Sequence, residues 1–522
     1  MHPRQRTHRT AALAGAALLT AVALAGCGGS PEAAPPDRES ETATSPAPDP
    51  RPTGRPAALG SQKPDWKKCR APEGGDAPGS RWRCATVQVP LDYAKPDGDT
   101  IGISLIRRQA SDSRARIGSL LFNFGGPGGS GVSMLPQAAS EYGKLNSRYD
   151  LVSFDPRGVA ASEGVDCRSD GATEAALKRV DMTPDTPAEE AAFVEDGVDM
   201  GAGCEKNSGT VLPHLTTTNT ARDMDLIRQV LGDEKLYYFG ISYGTELGGT
   251  YADLFPTHVG RVVLDAVVDP TADTVGHARN QTEGFQRALE NYLKDRGEDP
   301  EAGSARIARL LAKLDENPLP TDSGRMLSES LALTGIVTPL YSKDSWPVLT
   351  QALDEAENNG TGNTLLALAD SYNGRDDAGH YDTMTQSQRA ISCADDRARP
   401  TLDDARALLP EFRELSPVFG AFLAWDTAGW CAGWPVPGEH DTPEASAPGA
   451  APILVIGTTG DPATPYEGAK RMADELGEGV GVMLTNRGEG HGSYGTGTCV
   501  TDRTDAYLLD GKVPADGSVC SS

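Results

Sequence analysis

The chain has 522 residues, and 48 lysines and arginines against 74 aspartates and glutamates leave it a net charge of −26. Such an acidic balance excludes a nucleic-acid binder, which needs a basic footprint to neutralise phosphates. At 38% hydrophobic residues and a mean hydropathy of −0.40 it reads as an acidic, soluble globular protein, neither a membrane bundle nor a disordered chain.

Arg4, Arg6 and Arg9 precede an apolar run from Ala11 to Ala25 that is too short to span a bilayer and suits a secretory signal. Leu24-Ala25-Gly26-Cys27 resembles the lipobox of bacterial lipoproteins, so residues 1–26 are expected to be a lipoprotein signal peptide and Cys27 the acylated residue. Residues 27–62 carry eight prolines and almost no large apolar side chain. A stretch like that cannot bury enough surface to offset its ordering entropy, and it is read as a disordered, extended tether.

Folded sequence begins near Trp66, and no repeat at a fixed period is evident. Short apolar runs at Ser119–Phe124, Tyr149–Phe154 and Leu236–Phe239 read as buried strands. Before the third of them, Thr216–Leu231 places Met224, Ile227 and Leu231 at helical spacing. Later runs at Gly260–Leu264 and Pro452–Ile456 extend this βαβ rhythm, so the expected fold is α/β, a mostly parallel sheet with helices on both faces. Between residues 271 and 417 strand signals stop and helical ones take over, as in Arg306–Asp315 and, interrupted by Pro410, Asp403–Leu415. That block is expected to be an inserted helical cap between the two parts of the core, 63–270 and 418–522. Its Tyr341, Trp346 and Phe412 read as core aromatics, with pocket lining as the alternative.

Gly240-Ile241-Ser242-Tyr243-Gly244 follows a strand-like run and precedes a helix-like one, Thr245–Phe255, which is the strand–turn–helix setting of a nucleophile elbow. A serine hydroxyl needs a base and a third group to orient that base. Six histidines follow the signal, and among them only His491 lies beyond the last strand-like run, in Gly488-Glu489-Gly490-His491-Gly492. Asp461, where a strand ends in Thr458-Thr459-Gly460-Asp461-Pro462, is the chosen acid, with Asp265 and Asp269 as runners-up. The catalytic residues are therefore expected to be Ser242, Asp461 and His491. The glycine loop Phe124–Gly131 should aim main-chain N–H groups at the oxyanion, the donors being Tyr243 and either Gly125 or Gly126.

That loop also spells G-x-G-x-x-G from Gly126 to Gly131, with Asp155 placed to bind a ribose. Pro127 inside the motif, Pro136 in the helix after it and the export signal argue against a dinucleotide site. No metal-binding motif is present, and neither metal nor cofactor is expected.

Taken together and in order, Gly125-Gly126-Pro127-Gly128, Phe154-Asp155-Pro156-Arg157-Gly158, Gly240–Thr245, Val263-Leu264-Asp265, Gly460-Asp461 and Gly490-His491 resemble the secreted actinobacterial tripeptidyl aminopeptidases and mycelium-associated serine proteases. These are α/β-hydrolases related to proline iminopeptidase. The resemblance implies a helical cap after the strand that follows the elbow helix, and release of short peptides, tripeptides in particular, from a free N-terminus. It makes Asp155 and Arg157 structural or site-lining. The substrate's ammonium group calls for a partly desolvated carboxylate, and Glu246, Asp395 and Asp396 are the candidates.

The expected partners are peptides with a free N-terminus, with membrane contact only through a lipid on Cys27. Two rivals stand beside this reading: an exported carboxylesterase or lipase using the same triad, and a peptide-binding surface lipoprotein. The chain has nine cysteines, an odd number. If Cys27 is acylated, the other eight are expected from their spacing to pair locally as Cys69–Cys84, Cys167–Cys204, Cys393–Cys431 and Cys499–Cys520.

Overall fold

The computed structural model describes residues 55–71 and 77–521; the expected signal peptide, Cys27 and most of the expected tether lie outside them. Twelve strands are formed: β1 (Lys67–Lys68), β2 (Trp82–Pro90), β3 (Thr100–Arg108), β4 (Gly118–Asn123), β5 (Tyr149–Phe154), β6 (Leu236–Ser242), β7 (Val259–Val267), β8 (Leu319–Pro320), β9 (Met326–Leu327), β10 (Ile453–Gly460), β11 (Gly481–Glu489) and β12 (Ser518–Ser521). Ten of them make one sheet in the order β1-β2-β3-β5-β4-β6-β7-β10-β11-β12, while β8 and β9 form a small hairpin. Pairing is antiparallel from β1 to β5 and parallel from there to β12.

Burial explains this division. Every residue of β4 and β5 is buried, as suits central parallel strands covered on both faces, whereas β2 alternates buried and exposed residues near the antiparallel edge. Between β5 and β6 the expected helix forms as Thr217–Leu231, capped by the Thr216 hydroxyl, which accepts from Asn219 N, and ended by Gly232 in the left-handed region.

The chain between β7 and β10 is the helical insertion, and it has its own core around Phe285, Leu289, Ile336, Phe412 and Phe419. Tyr341 and Trp346 are buried in that core as well. Pro410 lies inside the helix Leu402–Leu415 without ending it.

Two expected boundaries move. The helix Gly420–Gly429 places Phe422, Leu423 and Ala424 in the cap core, so the insertion runs on past 417. At the other end, residues 55–62 are not tether. Leu59 is buried against the main core, and Gln62 exchanges hydrogen bonds with the main chain of Gln88 at 2.7 and 2.8 Å. A single well-placed leucine and one amide suffice to anchor that segment.

The four cysteine pairs formed are Cys69–Cys84, Cys167–Cys204, Cys393–Cys431 and Cys499–Cys520. Cys204 lies on the long helix Pro187–Ser208, whose Phe193 packs with Trp425 and Ala428 at the base of the cap.

Candidate active site

Ser242 ends β6 with φ +59°, a left-handed conformation that is strained for a residue with a side chain, and the helix Tyr243–Leu254 starts directly after it. The turn is tight enough to require both flanking glycines. A Cβ on Gly240 would lie 2.2 Å from the carbonyl oxygen of Gly244, and one on Gly244 would lie 2.6 Å from that of Asn123. Sequence spacing and local geometry thus agree on a nucleophile elbow.

Asp461 follows β10 and His491 follows β11, so both project from the same end of the parallel sheet as Ser242. His491 Nδ1 lies 2.9 and 3.0 Å from the two Asp461 oxygens. A carboxylate only accepts, so Nδ1 carries the proton and Nε2 presents its lone pair. Asp461 also accepts the main-chain N–H groups of Ala463 and Thr464 and the Thr464 hydroxyl at 2.9 to 3.1 Å. Burial works against a charge on His491, but Asp461 and Asp265 outweigh it and lift the imidazole above its usual pKa. His491 Nε2 and Ser242 Oγ are both buried and have no hydrogen-bond partner among the described residues.

The runner-up acids have other work. Asp265 accepts the N–H groups of Ser493 and Tyr494 at 2.9 to 3.0 Å and so pins the loop after His491. Asp269 is taken up by Arg471, Thr271 and Asn280. From the cap, the carbonyl of Tyr341 accepts the His491 N–H at 2.8 Å, and its ring stands edge-on to the imidazole at 5.4 Å.

The glycine loop lies against the nucleophile. A Cβ on Gly125 would come within 2.8 Å of Ser242 Cβ and 3.3 Å of Tyr243 N. Of the two glycines named from the sequence, Gly125 already donates its N–H to Asn123 Oδ1 at 2.9 Å. The Gly126 N–H has no acceptor among the described residues, and Gly126 lines the pocket with Ser242 and Tyr243. Asp155 is engaged by donors of the protein itself, accepting from Ser130 Oγ and Val132 N at the start of the helix Gly131–Ala138 and from Ala161 N. Arg157 is fully buried in a two-pronged pair with Asp223 at 2.7 Å on each side.

Glu246, Asp395 and Asp396 line the same pocket as Ser242. Burial, reinforced at Asp395 by the charge of Glu246 and at Asp396 by those of Asp395 and Glu246, pushes both aspartates well above the usual carboxylate range, and burial takes Glu246 up to about 7. Asp396 Oδ2 is buried without a partner. Arg399, whose charge reaches Asp396, gives its hydrogen bonds to four main-chain carbonyls.

A family model described as "TAP-like protein" matches residues 416–520. Over 487 residues the chain is 37% identical to the serine protease Hip1 of Mycobacterium tuberculosis, covering 88% of this chain and 91% of that protein. It is 35% identical to Carboxylesterase B of the same species (87% and 89% covered) and 31% identical to the tripeptidyl aminopeptidase of Streptomyces lividans (88% and 86%). The chain belongs to the tripeptidyl aminopeptidase-like family of α/β-hydrolases.

As a member of that family it is a serine hydrolase. Several side chains around its site have no mark in the sequence. Thr464 is flagged only by its closeness to Asp461. Thr217 reaches the site from a distant segment, and no local spacing points to it, while Tyr341, named from the sequence as a core aromatic, meets His491 through its carbonyl and ring.

Proposed function

We propose that the protein is an exported serine exopeptidase that releases short peptides, tripeptides in particular, from substrates with a free N-terminus. His491 takes the proton of Ser242 as the hydroxyl attacks the scissile carbonyl. The oxyanion rests on the N–H groups of Tyr243 and Gly126, and His491 protonates the leaving amine. Asp461 holds the imidazole in the required tautomer and stabilises its charged form. Water then attacks the acyl-enzyme with the same groups in reversed roles.

One observation carries the choice of substrate. Among the described residues, the pocket that holds Ser242 is lined by five carboxylates, those of Glu246, Asp269, Asp395, Asp396 and Asp441, and by no lysine or arginine. Arg471 answers Asp269 and Arg397 answers Asp441, which leaves three acids for a cation from outside. A peptide's terminal ammonium supplies that charge, whereas an acyl chain does not. The esterase reading draws support from the likeness to Carboxylesterase B.

The four disulfides fit an oxidising compartment. With acylation at Cys27 the enzyme would sit on the cell surface through a lipid, tethered by the proline-rich segment.

Ser242→Ala is expected to fold and to lose turnover of a tripeptide amide; peptidase activity retained in that variant would overturn the assignment. Turnover of a short-chain ester alone, with none of the peptide, would favour the esterase. Mass spectrometry of products from a mixed peptide pool reads exo-action and product length together.

A further inference from the structure

The most connected of the three unanswered acids is Asp395, and its connections run to the nucleophile elbow. Thr217 N donates to Asp395 Oδ1 at 2.7 Å, and Thr217 Oγ1 donates to Asp395 Oδ2 at 2.7 Å. The same Thr217 oxygen lies 2.5 Å from the hydroxyl of Tyr243. When Asp395 is ionised it only accepts, so the single Thr217 hydroxyl proton points to it and the phenol donates to Thr217. The chain therefore has a direction: Tyr243 O–H to Thr217, and Thr217 O–H to Asp395.

Its two ends matter. Tyr243 is the residue after Ser242 and supplies one main-chain donor of the proposed oxyanion hole. Asp395 closes the helix Met384–Asp395, which also touches the other donor's loop: a Cβ on Gly128 would lie 2.6 Å from Met384 O and 2.8 Å from Gln388 N. Thr217 opens the helix Thr217–Leu231, so Asp395 sits at the positive end of a helix dipole as well. All three residues are buried, which keeps solvent from competing for these bonds.

We propose that Thr217 is a positioning residue for substrate selection. It holds the carboxylate that receives the peptide's ammonium and the backbone that stabilises the oxyanion in one hydrogen-bonded network. Occupancy of the ammonium seat fixes Asp395 in its ionised, accepting state, which holds the Tyr243 phenol and with it the elbow. A free N-terminus is then rewarded in the chemical step as well as in binding. This inference rests on the reading of Asp395 as an ammonium-binding acid.

The test compares kcat and KM on a tripeptide amide, its N-acetylated form and a short-chain ester. Thr217→Val keeps the main-chain bond to Oδ1 but removes both hydroxyl bonds. The ratio of kcat/KM for the free over the blocked peptide is expected to fall about tenfold, part of it in kcat, as for the loss of a hydrogen bond to a charged group. Thr217→Ser is expected to restore the ratio. An equal loss on all three substrates, or an unchanged ratio, would overturn the proposal. Fluorophosphonate labelling of Ser242 reports whether each variant is folded. If the valine variant is not labelled, Tyr243→Phe breaks the same chain from its other end and should give the same fall in ratio. Asp395→Asn separates the two levels of argument: if it leaves discrimination against the blocked peptide intact, the ammonium seat is wrong. If Asp395→Asn loses discrimination while Thr217→Val keeps it, the seat stands and the relay falls.

Discussion

Two groups of buried or half-buried acids stand around this site, and they are answered in opposite ways. Asp461 and Asp265, on the histidine side, are surrounded by donors: main-chain N–H groups, the Thr464 hydroxyl and the imidazole itself. Across the pocket, Asp395 has only Thr217, Asp396 keeps an unpartnered oxygen, and Glu246 has no hydrogen-bond partner among the described residues. Burying a carboxylate without a partner is costly, and proteins keep such an arrangement where a ligand completes it. The first group is fully partnered; the second is the one proposed to receive the substrate's ammonium.

Substitutions should therefore separate the two sides. Asp461→Asn removes the group that sets the tautomer of His491, and kcat is expected to fall about ten-thousandfold, equally for free and blocked substrates. A loss confined to free peptides would erase the distinction. Glu246→Gln keeps shape and removes charge, and should lower kcat/KM for free peptides roughly tenfold while sparing the ester. If the ester loses as much, Glu246 belongs with the first group.

The smallest effect is one of pH. As pH falls, His491 gains a proton and every substrate slows, because a protonated imidazole cannot act as base. Glu246, pushed up to about 7 by burial, also loses its charge as pH falls through that value, and this penalises only free N-termini. Between pH 7 and pH 6 the free-to-blocked ratio of kcat/KM should drop about fivefold. An unchanged ratio would mean that Glu246 does not meet the ammonium.

Much of the sheet side was legible, for physical reasons. Central parallel strands are continuous apolar runs, so Tyr149–Phe154 was found with its exact limits and Leu236–Phe239 as the heart of β6. The elbow was legible because its signature sits within five residues, with Gly240 required by the carbonyl of Gly244, although Gly244 itself is required by Asn123 far upstream. The end of the cap was not: the apolar stretch Gly420–Gly429 announces burial without saying which core buries it. Leu59 is one apolar residue in a proline-rich stretch, and its partners lie far along the chain. Glu246, Asp395 and Asp396 were nameable from chemical need, but their convergence depends on packing between the elbow helix and a cap helix some 140 residues later. Thr217 was invisible for the same reason, since its partners are 26 and 178 residues away.

The contact between Tyr341 and His491 has one further consequence. The base of the proposed triad is fastened through its main chain to the insertion, so the insertion cannot swing away as a detached lid without slackening the residue that does the chemistry. A shortened variant lacking the cap would keep His491 but lose the acceptor of its main-chain N–H along with the walls of the pocket. Architecturally, the cap is a keystone.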